Sequence, residues 1–177
     1  MLVWIDLEMT GLDPKVHKIV EIATVITDDN LELVATGPDL VAKVTEQDLT
    51  FMDSYVTNMH TSSGLLEEIK SSELDISSAE SKTLDFIKVH VKSASSAPLC
   101  GNTIGTDRRF LAEHAPLIDS YLHYRSIDVS TIKELARRWN PAVIANAPEK
   151  KRGHRALDDI LESIEELKYY KECFFKI

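Results

Sequence analysis

The sequence predicts an α/β or α+β chain, and three observations predict it. Apolar, β-rich runs fill the first fifty residues, the pattern then turns mostly helical, and short strand-like runs recur between the helices. Val3-Trp4-Ile5 opens the first strand. "KIVEIATVITDDNLELV" reads as two strands, 19–27 and 31–35, joined by the turn-forming triplet Asp28-Asp29-Asn30, so a hairpin is expected. Gly37-Pro38 reads as a break before a further strand in "DLVAKV".

Beyond residue 75, Ser77-Ser78-Ala79-Glu80 has capping-box spacing and opens a helix in which Leu84, Ile87 and Val91 recur three or four apart. Leu99-Cys100-Gly101 reads as a short buried strand, Asp107 to Ala115 as a helix and Tyr124 to Val129 as a strand. Thr131-x-x-Glu134 caps another helix that runs to Trp139 and is ended by Pro141. "NPAVIANAPEKKRG" reads as a loop, and "HRALDDILESIEELKYYKECFF" as a long amphipathic helix. No internal repeat divides the chain, so 1–177 is expected to form a single domain.

A chain of 177 residues with 44% hydrophobic and 28% charged residues has the balance of a globular protein with a real core. The first residues run straight into strand pattern, and no apolar run approaches the length of a membrane span, so a soluble, cytoplasmic protein with no membrane partner is expected. Two cysteines without C-x-x-C spacing indicate structural thiols. The net charge of −9, from 29 acids and 20 bases, argues against a protein that grips long duplex nucleic acid, which needs a basic stripe. "EKKRGHR" is the one dense basic cluster, enough for a few phosphates. A small anionic substrate stays open, because a bound cation dominates the field at its own site.

Asp6 and Glu8 sit where a buried strand should carry no acids. Alternation along a strand points both to one face, where they repel unless a cation lies between them. An edge strand with a solvated face would also tolerate this spacing. Asp107, in "GNTIGTDRRF", suits a helix N-terminus, and His154, after Gly153, suits a surface or a cap. Together with Asp158 or Asp159 these residues supply the inventory for two metal ions and a general base. Helix register separates the two adjacent acids. Each residue advances about 100°, so Asp159 flanks the stripe of Leu157, Ile160, Ile164 and Leu167, whereas Asp158 lies further round toward solvent. Asp159 is the expected ligand.

The order of these motifs, D-x-E, an internal Asp and then His-x4-Asp, resembles the DEDDh 3′→5′ exonucleases of the ribonuclease H-like fold. "WIDLEMTGLD", "EIATVITD", "MHTSSGL", "GNTIGTDRRFL", "HYRSIDVSTIKELARRW" and "HRALDDILESIEELKYY" are similar to the oligoribonuclease family over nearly the whole length. The resemblance implies an α/β fold with a mixed central sheet and helices on both faces. It implies Asp6, Glu8, Asp107 and Asp159 as metal-binding acids, His154 as general base, and two divalent ions, Mg²⁺ or Mn²⁺. Oxygen ligands suit such ions, and a histidine can take a proton from water near neutral pH.

The resemblance further implies very short RNA as substrate, down to 5′-phosphorylated dinucleotides, with 5′-mononucleotides as products. Leu12 matches an apolar wedge against the bases, Tyr55 falls where many members carry Trp, and His60 matches a residue near the bases or the backbone. Thr103, in place of a serine, with Arg125, Ser130 and Thr131 matches a cap on the 5′-phosphate. The family's members are homodimers, with the segment around Tyr124 and Arg125 at or near the partner subunit. Two other readings compete: an exonuclease for longer RNA or DNA, and a catalytically silent nucleic-acid-binding protein of the same fold.

Overall fold

The computed structural model describes residues 1–148 and 153–175. Lys150, Lys151 and Arg152 of the basic cluster lie outside them. Fourteen elements follow in the order β1 (Leu2–Met9), β2 (Ile19–Thr27), β3 (Leu33–Val41), α1 (Glu46–Leu49), α2 (Ser54–Ser62), α3 (Leu65–Ser71), α4 (Ile76–His90), β4 (Pro98–Gly101), α5 (Gly105–His114), α6 (Pro116–Tyr121), β5 (His123–Asp128), α7 (Val129–Trp139), α8 (Pro141–Ala145) and α9 (Ala156–Cys173). The strands form one mixed sheet in the order β3-β2-β1-β4-β5, antiparallel from β3 to β1 and parallel from β1 to β5.

Both faces of this sheet are covered, and β1 divides its residues between them. Val3, Ile5 and Leu7 enter one core with Ile87 of α4, Phe110 of α5 and Ile118 of α6. Trp4 enters the other with Val129 of α7 and Ile160 and Ile164 of α9. The period-two alternation therefore sends Asp6 and Glu8 to the face of Trp4, the face that α9 covers. Trp4 is fixed there by donating its indole N–H to Thr27 Oγ1 at 3.0 Å. None of the described helices is long and apolar enough to cross a membrane.

Several boundaries depart from the sequence expectation for local reasons. The strand expected to begin at Leu31 starts at Leu33, because Asp28 Oδ1 accepts from Asn30 N and Glu32 N and holds the turn, with Leu31 at φ 72°. β3 also runs through Gly37-Pro38 instead of breaking there. An edge strand tolerates a proline, which has no N–H to give a second neighbour, and a Cβ at Gly37 would stand 2.5 Å from the Phe86 ring. α4 is capped by Asp75, which accepts from Ser78 N at 2.7 Å, two residues ahead of the expected capping box. α7 is likewise capped by Asp128 and not by Thr131. The segment after Trp139, expected as loop, begins with the short helix α8, whose Pro141 occupies the first turn where its missing N–H costs nothing.

Candidate active site

Three elements converge at one end of the sheet. β1 brings Asp6 and Glu8, α5 brings Asp107 in its first turn, and α9 brings Asp159 in its first turn, just after His154. Asp107 Oδ1 accepts the Leu7 backbone N–H at 3.2 Å, which ties the start of α5 to β1 between the two β1 acids. Ligand atoms of Glu8, His154 and Asp159 lie within 4.8 Å of one another. Asp159 is half-buried at the rim of the helix while Asp158 is exposed, the difference in exposure that register predicts.

The electrostatics are those of a cation site. Burial, then Asp107, Asp159 and Glu8, pushes the Asp6 carboxyl well above the usual carboxylate range. Burial, then Glu21 and Asp159, pushes Glu8 up to about 8. Burial alone accounts for most of the rise of Asp107 to about 7. Buried acids gathered in this way, with one imidazole beside them, are a donor set that a metal ion can satisfy.

His60 does not reach the open surface. Its ring is 0% exposed, with Nε2 2.9 Å from the Met9 carbonyl and Nδ1 3.9 Å from Glu8 Oε2. Since a carbonyl only accepts, Nε2 carries the proton, and burial lowers the pKa and keeps the ring neutral. His60 thus sits behind Glu8 and braces the end of β1.

Leu12 and Tyr55 are the opposite case, 71% and 68% exposed. Leu12 is carried on a loop held by Thr10 N–H to Lys18 O at 3.0 Å, Lys18 N–H to Thr10 Oγ1 at 2.9 Å and Asp13 N–H to His17 Nδ1 at 3.1 Å. A Cβ on Gly11 would meet the His17 ring at 2.4 Å, so a larger residue there would displace that ring from its place in the loop. One hollow of about 410 Å³ runs from Glu8 past Leu12 to Tyr55, and a second of about 470 Å³ runs from Tyr55 to His154. Tyr55 and Met59 line both.

Thr103 and Ser130 meet at the other side of the site, their hydroxyls 3.0 Å apart, with Thr131 exposed on the first turn of α7. Asp128 Oδ1 accepts from both Thr103 N and Ser130 N at 2.9 Å. That holds Thr103 at φ 54°, a conformation a β-branched residue seldom adopts. Arg125 and Tyr124 stand apart. They lie on the sheet's outer strand β5, three or more residues and roughly 10 Å before Asp128. There the guanidinium lies 5.3 Å from the Tyr124 ring centre and Tyr124 stacks on His123.

Sequence reasoning passed over Glu21, Arg155, Asn102, Ser163 and Glu166. Glu21 is fully buried, opposite Glu8 in the β1–β2 ladder, and receives Arg155 at 2.8 Å and the Ala156 N–H at 3.1 Å. Arg155 also pairs with Glu68 of α3 at 2.8 Å. The available signals were an acid inside the apolar run "IVEIATVIT", and polar residues at the fourth and seventh places after Asp159 on the helix's inner face.

This arrangement of sheet, helices and clustered acids belongs to a recognised class. Residues 3–167 match the RNase T family model, described as exonuclease. Among solved structures, Escherichia coli exonuclease I in complex with a dT13 oligonucleotide superposes with a TM-score of 0.74 at 14% identity, over 97% of this chain and 41% of that one. Exonuclease I from Methylocaldum szegediense gives 0.70 at 16%, over 97% and 40%. The chain thus spans about 40% of the length of those longer proteins, and the likeness establishes the ribonuclease H-like exonuclease fold. The oligoribonuclease of Corynebacterium glutamicum is 55% identical over 174 residues, 98% of this chain and 80% of that protein. That of Vibrio campbellii is 52% identical over 176 residues, 99% and 96%. The chain belongs to the oligoribonuclease family of exonucleases.

Proposed function

We propose that the protein is a metal-dependent 3′→5′ exoribonuclease that hydrolyses very short oligoribonucleotides, above all 5′-phosphorylated dinucleotides, to 5′-mononucleotides in the last step of RNA decay. The observation that carries the reading is the convergence of Glu8, His154 and Asp159, with Asp6 two residues from Glu8 on β1 and Asp107 tied to Leu7 between them. Asp6, Glu8, Asp107 and Asp159 would hold two Mg²⁺ or Mn²⁺ ions, which when bound polarise the scissile phosphate and the attacking water.

The chain's own residues supply the rest. His154, at the rim of the acid cluster, takes the proton of the attacking water. Leu12 and Tyr55, projecting over the two hollows, hold the bases by apolar contact and stacking. His60 serves the substrate through Glu8 and Met9, whose positions it sets. Thr103, after β4, forms with Ser130 and Thr131 at the start of α7 the cap that receives the 5′-phosphate and closes the site against a longer chain. Tyr124 and Arg125, exposed on the outer strand, serve this cap from the partner subunit of a homodimer. The setting is the cytoplasm.

The test is cleavage of 5′-phosphorylated RNA of two, five and twenty residues with Mg²⁺ or Mn²⁺, alongside Asp6→Ala. Turnover of the dinucleotide far faster than the 20-mer, with the variant dead, supports the reading. Equal or faster loss of the 20-mer favours an exonuclease for longer strands, and no metal-dependent cleavage at any length favours a binding protein.

Leu12→Ala separates recognition from stability. Because Leu12 is 71% exposed, its truncation changes unfolding free energy by no more than about 0.5 kcal/mol. KM for a dinucleotide rises about tenfold, the effect of losing apolar contact of roughly 1–2 kcal/mol with a base. An unchanged KM removes Leu12 from the substrate.

A further inference from the structure

A chain of hydrogen bonds links the Thr103–Ser130 pair to α9. Asn102 Nδ2 donates to Ser163 Oγ at 2.8 Å and to Glu166 Oε2 at 3.2 Å, and Asn102 Oδ1 accepts from Ser130 Oγ at 3.0 Å. Ser163 Oγ in turn donates to the Asp159 carbonyl at 2.7 Å. Glu166 is buried, pairs with Lys133 Nζ at 3.0 Å and accepts from Tyr170 OH at 3.0 Å.

The proton directions in this chain are determined. Glu166, paired with Lys133, accepts from Asn102, and Ser163 has spent its one proton on the Asp159 carbonyl, so both turn the NH₂ side of Asn102 toward α9. The amide oxygen therefore faces Ser130, whose single proton goes to it. Ser130 Oγ then accepts from Thr103 N–H at 3.0 Å and from Thr103 Oγ1 at 3.0 Å, which completes its capacity of one donated and two accepted bonds. The Thr103 hydroxyl is exposed and is the one of the pair whose proton can turn outward without leaving a buried acceptor unpaired.

We propose that Asn102 is a positioning residue that sets the specificity of the reaction: it turns the Ser130 hydroxyl inward, leaves Thr103 as the hydroxyl that donates to the 5′-phosphate, and couples this cap through Ser163 to the main chain of Asp159. The inference rests on the phosphate-cap reading above. It assigns Ser130 to orienting Thr103, and it accounts for two polar residues, Ser163 and Glu166, on the buried side of an amphipathic helix.

The test compares kcat/KM for one dinucleotide with a 5′-phosphate and with a 5′-hydroxyl, and the affinities of both in EDTA. In Asn102→Ala both substrates turn over more slowly, and the preference for the phosphorylated one falls about tenfold in rate and in affinity, the scale of one lost hydrogen bond. Asn102→Ser, which keeps a polar group but loses the second arm of the amide, gives the same fall and serves where alanine does not fold. Ser163→Ala slows both substrates by one factor and keeps the preference. In a Ser130→Ala background, Asn102→Ala lowers the preference no further, because it acts through Ser130. If Asn102→Ala and Asn102→Ser slow both substrates equally, or if the double variant loses preference additively, the inference is overturned while the cap reading stands. If the unmodified chain shows no preference for the 5′-phosphate, the cap reading falls and takes the inference with it.

Discussion

Asp107→Asn loses more than about a hundredfold in kcat and yet, in EDTA at pH 8, melts at a higher temperature than the unmodified protein. The first effect follows from removing a proposed metal-binding acid. The second follows from the proton that Asp107 holds. Its pKa stands at about 7 in the fold, against 3.8 as a free side chain, chiefly through burial. Between those values the folded chain binds a proton that the unfolded chain has released. Stability is therefore fully present below pH 4 and is lost as pH rises through 7. The gap between the two pKa values caps that loss at about 4 kcal/mol at pH 8. Asparagine keeps an oxygen for the Leu7 N–H at nearly the same place and has no proton to lose. Glu8, raised to about 8, and Asp6 respond in the same sense, so the three titrate as a group and the gain from one substitution falls below the ceiling. At pH 4 the two proteins melt together. Saturating Mg²⁺ at pH 8 reverses the order, because ligand binding stabilises only the chain that retains its full set of acids. A variant that melts below the unmodified protein in EDTA at pH 8 shows that burial does not hold the Asp107 proton in the fold.

That cluster was legible in the sequence because strand and helix periods are rigid. D-x-E on an otherwise apolar strand puts two acids on one face, and β1 places them on the side of Trp4 and α9. The stripe of α9 distinguished the exposure of Asp159 from that of Asp158 by rotation alone. What sequence hid were contacts between distant segments. Gly37-Pro38 reads as a break, and only the edge position of β3 and the Phe86 ring against Gly37 make it a continuous strand. The capping-box pattern at Thr131 was overridden because Asp128 serves two loops at once, taking N–H groups from Thr103 and Ser130. Asn102 and Ser163 are 61 residues apart, and nothing local to either announces the other. His60, in an outwardly polar stretch of α2, is buried because Met9 and Glu8 lie across from it.

Arg155→Ala lowers the melting temperature by roughly 10 °C and reduces kcat while the protein is still folded. Arg155 is the one described cation that touches Glu21, at 2.8 Å through Nη2 and 2.9 Å through Nε. Glu21 is fully buried in β2, beside Asp39, whose own carboxyl is pushed up to about 6 by burial and then by Glu21. Removing the guanidinium leaves a buried carboxylate that keeps the Ala156 N–H but loses its charged partner, and an uncompensated charge of this kind costs about 3–5 kcal/mol. Glu21→Gln in the same chain removes the charge along with its partner, so the double variant recovers a substantial part of the loss. No recovery would mean that Arg155 acts by packing and by its second pair with Glu68, at 2.8 and 3.0 Å. The effect on kcat has a separate origin. His154 sits at φ 51°, a strained conformation for a residue with a Cβ, and such backbone persists only where its neighbours over-determine it. Here the next two residues do so, Arg155 through its side chain and Ala156 through its N–H, both closing on Glu21. Arg155→Lys keeps the charge without the planar fork, so it restores most of the stability and less of the turnover. Equal recovery of both would show that the charge alone, and not the two-point grip, holds the proposed base in place.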